Sequence, residues 1–158
     1  MAAEVKLDEI VDALEEANES ISSYLDVETG QIHSIADEEF GLAEDPATVV
    51  EDLPAWRREA VNLARSIREQ EGERYLALPD HFDIHEWAIM ERFSETLQNP
   101  QIRKDFRGGI HGEGAFRLFE RLLDEYNLWD AWNRFKQTEL RQMAIEWCEE
   151  NGITIRKA

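Results

Sequence analysis

Cysteine and long apolar runs are scarce in this sequence. The single Cys148 cannot form an intramolecular disulfide, and its place beside Trp147 in a helical pattern indicates a small buried hydrophobe. No run approaches the roughly 18 apolar residues that a membrane helix needs. The first residues also lack the basic segment and apolar stretch of a signal peptide. We therefore expect a cytoplasmic protein that contacts no membrane.

Basic residues are almost missing from the N-terminal third. Residues 1–53 contain 16 acidic residues and one basic residue, Lys6, whereas the remainder contains 19 acidic and 16 basic residues. The net charge of −18 therefore comes mainly from this third. Such a charge repels nucleic acid and favours a basic protein partner, although solubility is its commonest consequence. Nucleic-acid binding is disfavoured, and the oligomeric state stays open.

The hydrophobic pattern predicts one α+β domain over residues 1–158. A hydrophobic fraction of 42% is ample for one core. Apolar residues at helical spacing predict helices over about 5–18, 56–67, 83–97, 100–106, 116–126 and 128–147. Two β-favouring runs around Gly30 predict a hairpin, and "RYLALP" predicts a third strand. We expect a small three-stranded antiparallel sheet packed by about five or six helices, with a mostly helical C-terminal half.

The acidic stretch "DEEFGLAEDPATVVEDLP" (residues 37–54) contains Pro46 and Pro54. This composition predicts a mobile surface connection with at most one short helical turn.

Four glycines lie in "RGGIHGEGAFRLFERLL", residues 107–123. A P-loop is excluded because Glu113 and Ala115 stand near the places of its lysine and hydroxyl residue. The segment is best interpreted as a hinge between two helices. The alternative is an anion site at the start of the second helix, formed around Gly112 and Gly114 with Arg117 and Arg121.

Potential metal ligands are concentrated in "PDHFDIHEWAIMERF". The possible ligands are Asp80, His81, Asp83, His85 and Glu86, between a strand end and a helix start. A hydrolytic metal site would need two or three imidazoles or carboxylates and an open position for water. The spacing is not that of H-E-x-x-H, and a capping box of Asp83 and Glu86 explains the two acids. A metal site of His81, His85 and Glu86, with His111 if it lies nearby, is the alternative.

The C-terminal half contains aromatic residues interleaved with cations. This mix resembles single-stranded nucleic-acid platforms, and Arg103, Lys104, Arg107, Arg117 and Arg121 would form such a face. The helical spacing favours a core stripe with solvated arginines instead. Trp129 falls outside the stripe, so we expect it to be partly exposed and a candidate partner contact.

Four segments together resemble a family of uncharacterised bacterial proteins. They are "YLDVETGQI", "IHEWAIMERF", "GIHGEGAFRLFERLL" and "WNRFKQTELRQMAIEWCEENGI", and the likeness extends from about Leu7 to Ile153. The family pattern G-x-G-A-F with R-x-F is met by Gly112, Gly114, Ala115, Phe116, Arg117 and Phe119. The resemblance implies a bacterial cytoplasmic protein of one domain, and it assigns no activity, cofactor or catalytic residue.

Two functions follow as hypotheses. The first is a non-enzymatic interaction or regulatory domain that binds a basic partner through its acidic N-terminal third and the connection from Glu38 to Asp52. The second is a metal-dependent hydrolase or small-ligand-binding protein that uses His81, Asp83, His85 and Glu86. The sequence identifies no cofactor.

Overall fold

The computed structural model describes residues 4–109 and 114–156, apart from the side chains of His81 and Phe82. The chain divides into two compact units. The first contains the residues up to Ile84 and those from Met143 onwards, and the second is His85–Gln142. A single domain over residues 1–158 remains a prediction.

The first unit contains two sheets and several helices. In chain order its elements are β1 (Val5–Lys6), α1 (Leu7–Glu16), β2 (Ile21–Asp26), β3 (Ile32–Ala36), α2 (Asp37–Glu44), a 3₁₀ turn (Val50–Asp52), α3 (Ala55–Glu69), β4 (Tyr75–Ala77), the single-turn α4 (His81–Ile84) and, near the C-terminus, β5 (Ile155–Arg156). β1 and β5 form a short parallel pair. The main sheet is antiparallel, with the strand order β3-β2-β4.

The β2–β3 hairpin turns at Gly30, as predicted. Gly30 has a φ of 78°, a conformation that only glycine adopts without strain. Its backbone N–H donates to the carbonyl of Asp26 at 2.8 Å. The carboxylate of Asp26 accepts the N–H of Glu28 at 3.0 Å, which fixes the start of the turn.

A buried ion pair joins the hairpin to the residue that precedes β4. Asp26 is 3% exposed, and the guanidinium of Arg74 donates to both of its carboxylate oxygens, at 3.1 and 2.9 Å. Burial opposes ionisation of Asp26. The hydrogen bonds from Arg74 and from the backbone of Glu28 outweigh burial and lower the pKa of Asp26. The pair therefore fixes β4 beside β2.

Helices α2 and α3 cover one face of this sheet. The core cluster on that face contains Tyr24, Ile35, Phe40, Ala64, Ile67 and Tyr75. Arg68 on α3 lies over the ring of Phe40, with 4.1 Å between its Cζ and the ring centroid. Arg57 pairs with Glu38 at 2.9 Å and Arg68 with Glu44 at 3.0 Å. Three of the four acidic residues of α2, Glu38, Glu39 and Glu44, therefore lie within ion-pair distance of arginines on α3.

The second unit is helical and has an aromatic core. It contains α5 (Glu86–Glu95), α6 (Pro100–Gly109), α7 (Ala115–Glu125) and the first part of α8 (Trp129–Glu150), whose residues from Met143 belong to the first unit. Phe119 packs edge-on against Trp132 at 4.8 Å and Phe106 at 5.3 Å between ring centroids. Tyr126 donates a hydrogen bond to Asp105, which raises the pKa of Tyr126 to about 12.

The predicted fold class is confirmed. Six helices and the three strands of the main sheet occur where the sequence patterns place them. Asn99 caps α6, because its side chain accepts the N–H of Gln101 at 2.9 Å. Cys148 is 1% exposed, and burial raises the pKa of its thiol. No helix in the described ranges is long and apolar enough to cross a membrane.

Two parts of the predicted fold are wrong. The first half of the expected connection, residues 37–54, is α2, an eight-residue helix. Its apolar contact is Phe40, whose single buried ring gives no helical periodicity in the sequence. α6 also continues beyond Phe106 through Gly108 to Gly109, and Leu118 of α7 packs where a side chain at 109 would project.

Asp26→Asn should destabilise the protein in a pH-dependent way. The pKa of Asp26 is lowered in the folded chain, so its ionisation contributes stability at pH values above about 4, the pKa in the unfolded chain. That contribution is lost as the pH falls through the folded-state pKa. The loss of melting temperature caused by Asp26→Asn should therefore be largest near pH 7 and shrink below about pH 4.

Thermal unfolding by circular dichroism between pH 3 and 7 measures this effect. Asp12→Asn, at an exposed position of α1, is the control and should not lower the melting temperature. A difference between wild type and Asp26→Asn that stays constant over this pH range would contradict the assignment.

Phe119→Ala should destabilise the chain by about 3–5 kcal/mol, because Phe119 is 1% exposed at the centre of the aromatic core. Phe116→Ala lies on the same helix but at a position 49% exposed, and it should change the free energy of unfolding by less than about 0.5 kcal/mol. Urea unfolding of both variants compares them directly. Similar losses would show that the aromatic cluster does not carry the stability of this unit.

Candidate functional site

The exposed face of α1 is acidic along its whole length. It carries five acidic residues and no basic one: Asp8, Glu9, Asp12, Glu15 and Glu16. The opposite face is buried through Leu7, Ile10, Val11, Ala13 and Leu14. The helix is therefore held by its apolar face, and its carboxylates point to solvent.

These carboxylates repel one another. Asp12 lies four residues after Asp8 and four before Glu16, and like charges at that spacing destabilise a helix. Glu15 and Glu16 are in the last turn, where the helix dipole also disfavours negative charge. Among the residues that the structure describes, the carboxylates of Glu9, Asp12, Glu15 and Glu16 form no ion pair or hydrogen bond. The repulsion among these four carboxylates is therefore not offset by any partner in the described part of the chain.

A groove of about 340 Å³ lies between α1 and β3. Glu9, Asp12, Ala13 and Glu16 line one wall, and Gln31, Ile32 and Ser34 line the other. The positions on α1 are spaced by three, one and three residues, so they share one face of the helix. We call this feature the α1–β3 groove. It combines an acidic wall with the backbone of a sheet strand.

A second cleft, of about 440 Å³, lies beside β4. Its lining includes Met143 and Trp147 together with four acidic residues, Asp80, Asp83, Glu146 and Glu150. The indole N–H of Trp147 donates to the carbonyl of Ala77 at 3.1 Å, so the ring is fixed against the strand. An apolar surface rimmed by carboxylates suits an organic cation.

The predicted capping box has a different register. Asp80 and Asp83 cap α4 reciprocally: the carboxylate of Asp80 accepts the N–H of Asp83 at 2.9 Å, and the carboxylate of Asp83 accepts the N–H of Asp80 at 3.1 Å. Asp80 therefore occupies the N-cap position of α4, and Asp83 occupies the third position of its first turn. The predicted partner Glu86 instead pairs with Lys136 on α8 at 2.8 Å.

The described members of the histidine-rich cluster do not form a metal centre. His85 is exposed and has a φ of 49°, which separates α4 from α5. No group of three or more His, Cys, Asp and Glu side chains able to hold a metal occurs in the described part of the chain. The side chain of His81 and the whole of His111 lie outside the described residues. The set His81, His85 and Glu86 remains a prediction.

The glycine segment is partly described. Gly114 has a φ of 76° and precedes the first residue of α7. It thus provides a left-handed backbone conformation at the start of the helix, which agrees with the hinge interpretation. Gly112 lies outside the described residues. Arg117 and Arg121 are exposed on α7, and an anion site that includes them remains a prediction.

Two tryptophans differ in exposure. Trp129 is half-buried, and its indole N–H donates to Asp124. Trp56 is 66% exposed at the start of α3, with the Arg57 guanidinium 5.0 Å from its ring centroid. The apolar spacing that predicts a helix over 56–67 counts Trp56 among the positions of the buried face, which is wrong because the buried residues of α3 begin at Val61. One sequence signal indicates this exposure: Trp56 lies two residues after Pro54, in the first turn of the helix.

The sequence was compared with known proteins. The profile of an uncharacterised protein family, UPF0158, matches residues 3–157. The chain is 26% identical over 150 residues to UPF0158 protein PA5073 of Pseudomonas aeruginosa, covering 94% of this chain and 84% of that protein. No solved structure matches the chain.

Proposed function

The chain belongs to the uncharacterised protein family UPF0158, and we propose that it is a bacterial cytoplasmic interaction domain that binds a basic partner through the exposed face of α1. The observation that carries this proposal is the uncompensated carboxylate row of Glu9, Asp12, Glu15 and Glu16. Cationic side chains of a partner would relieve the repulsion within α1. Binding would thus gain attraction across the interface and stability within the helix.

The distribution of charge between the two units supports a directed approach of the partner. The first unit contains 25 acidic and 8 basic residues, and the second contains 10 and 9. A field concentrated on one unit steers a basic protein towards that unit and raises the association rate. Three of the four acidic residues of α2 contribute less to it, because Glu38, Glu39 and Glu44 pair with Arg57 and Arg68. The connection from Glu38 to Asp52 is therefore a weaker contact surface than α1.

A fourfold variant tests this surface. Glu9→Gln, Asp12→Asn, Glu15→Gln and Glu16→Gln together should abolish recovery of basic proteins from an extract of the source bacterium at about 50 mM salt. Wild type should lose these partners as the salt approaches about 0.5 M, since screening shortens the reach of surface charges. The variant should unfold at the same temperature as wild type or a higher one, because the repulsion on α1 is removed.

The matched control removes the same charge elsewhere in the first unit. Glu59→Gln, Glu69→Gln, Glu73→Gln and Glu149→Gln are also at exposed positions, and this variant should recover the partners as wild type does. Quantitative mass spectrometry of the captured proteins makes the comparison. Equal recovery by both variants would mean that net charge, and not the α1 surface, causes the binding.

The cleft beside β4 favours a second candidate function, binding of a small organic cation. Its apolar surface comes from Met143 and Trp147, and its carboxylates match a multiply charged amine. A metal-dependent hydrolase has less support, because the carboxylate of Asp83 accepts the N–H of Asp80 and Glu86 pairs with Lys136.

Thermal unfolding with spermidine, zinc and manganese tests both ligand classes, with a chelator control for the metals. Spermidine at a hundred times its dissociation constant should add about 2.7 kcal/mol of stability. Glu150→Gln, at the cleft, should reduce the gain, whereas Glu149→Gln, an exposed neighbour outside the lining, should not. A shift with zinc that His85→Ala removes would favour the metal site instead, and an unchanged melting temperature would exclude these ligands.

A further inference from the structure

The outer edge of β3 offers unpaired backbone groups. Two hydrogen bonds flank the β2–β3 ladder, from the N–H of Asp26 to Gln31 at 2.9 Å and from the N–H of Asp37 to Ser20 at 2.8 Å. Because bonded and non-bonded pairs alternate in an antiparallel ladder, His33 and Ile35 bond to β2. Ala36 is the N-cap residue of α2, so its carbonyl accepts the first hydrogen bond of that helix. The N–H and C=O groups of Ile32 and Ser34 and the N–H of Ala36 therefore point away from β2. Within the described residues they have no strand neighbour.

The other edge of the sheet is blocked by the chain itself. The N–H of Tyr75 donates to Gln70 at 3.2 Å, and the carbonyl of Tyr75 accepts the N–H of Gly72 at 2.8 Å. The carbonyl of Ala77 accepts the indole N–H of Trp147. Proteins commonly cover sheet edges in this way to prevent unwanted pairing. β3 also contains neither proline nor lysine, two residues that commonly protect an edge strand.

The acidic wall of the α1–β3 groove runs beside this open edge. Glu9 and Glu16 are seven residues apart on α1, which corresponds to about 10 Å along the helix. Alternate side chains of an extended strand are about 7 Å apart. Two or three basic residues at alternate positions of one strand therefore match the length of the carboxylate row.

We propose that an extended, basic segment of a protein partner adds to the β3 edge as a fourth strand, with its alternate Lys or Arg side chains against Glu9, Asp12 and Glu16. This inference rests on the proposed function and names its mode of recognition. Backbone hydrogen bonds to Ile32, Ser34 and Ala36 provide affinity, and the carboxylates on α1 select for positive charge. The same carboxylates disfavour a second copy of the chain, because edge-to-edge pairing would bring two acidic rows together.

Two defined peptides separate strand addition from simple charge attraction. One contains four Arg-Val repeats and the other four Arg-Pro repeats, both with blocked ends. Their charges are equal, but proline removes every second backbone N–H donor and fixes φ at about −65°, away from the extended geometry of an added strand. Isothermal titration at about 50 mM salt should show binding of the Arg-Val peptide that is at least about tenfold tighter than that of the Arg-Pro peptide.

A substitution in β3 provides the matched test on the protein. Ser34→Pro removes an N–H that points away from β2, so the β2–β3 ladder is retained. It should weaken binding of the Arg-Val peptide by at least about tenfold, whereas Ser34→Ala, which keeps the N–H, should bind as wild type does. Hydrogen exchange on the wild-type chain gives a measurement that does not depend on the folding of Ser34→Pro. The Arg-Val peptide should slow exchange at Ile32, Ser34 and Ala36.

Equal affinity for the two peptides, with unchanged exchange along β3, would overturn strand addition. If the fourfold α1 variant failed to bind the peptides in that case, binding would depend on the charge of α1 and the proposed function would survive. If that variant bound both peptides like wild type, the proposed function would fail as well. Protection of the β3 amides from exchange that increases with protein concentration in the absence of peptide would show that a second copy of the chain occupies the edge. That result would also overturn the proposal.

Discussion

The central strand β2 constrains the first unit, because its backbone groups must be bonded on both sides. Ser22, Tyr24 and Asp26 bond to β3, whereas Ser23 and Leu25 bond to β4. The buried carboxylate of Asp26 lies at the end of this strand, and Arg74 joins it to the chain entering β4. Both outer strands depend on β2, but only β4 has its remaining edge covered by Gln70, Gly72 and Trp147. This asymmetry leaves the β3 edge open.

The acidic residues of the first unit are likewise divided into those that form ion pairs within the fold and those that do not. Acidic residues close to α3 are paired with its arginines, so that Glu38, Glu39 and Glu44 contribute local ion pairs. α1 is held through its buried apolar face, and the carboxylates of Glu9, Asp12, Glu15 and Glu16 pair with no cation among the described residues. The chain thus keeps a row of mutually repelling carboxylates on α1 beside an open strand edge, although such a row destabilises the helix. Departures of that kind from local stability concentrate at functional sites.

Much of the fold could be predicted because the main elements have strong local signals. α1, α3 and α7 have apolar residues at helical spacing, and Gly30 marks the hairpin. α2 was missed because its core contact is one aromatic ring. Trp56 was placed on the wrong face, because periodicity gives the direction of a side chain but not where the helix leaves the core. The capping box was predicted three residues too late, at Asp83 and Glu86, whereas the structure has it at Asp80 and Asp83. Asp80 and Asp83 each fit the cap position from sequence alone.

The sequence by itself determined the α+β class, the hairpin, most helices and the acidity of the N-terminal third, because these depend on local periodicity, turn chemistry and composition. Tertiary structure decided which acidic residues are neutralised and which strand edge is open. These properties depend on long-range pairs, such as Arg57 with Glu38 or Trp147 with Ala77, that lie 19 to 70 residues apart along the chain. A sequence pattern describes neighbours within a few residues, so contacts over such separations appear only in the folded chain.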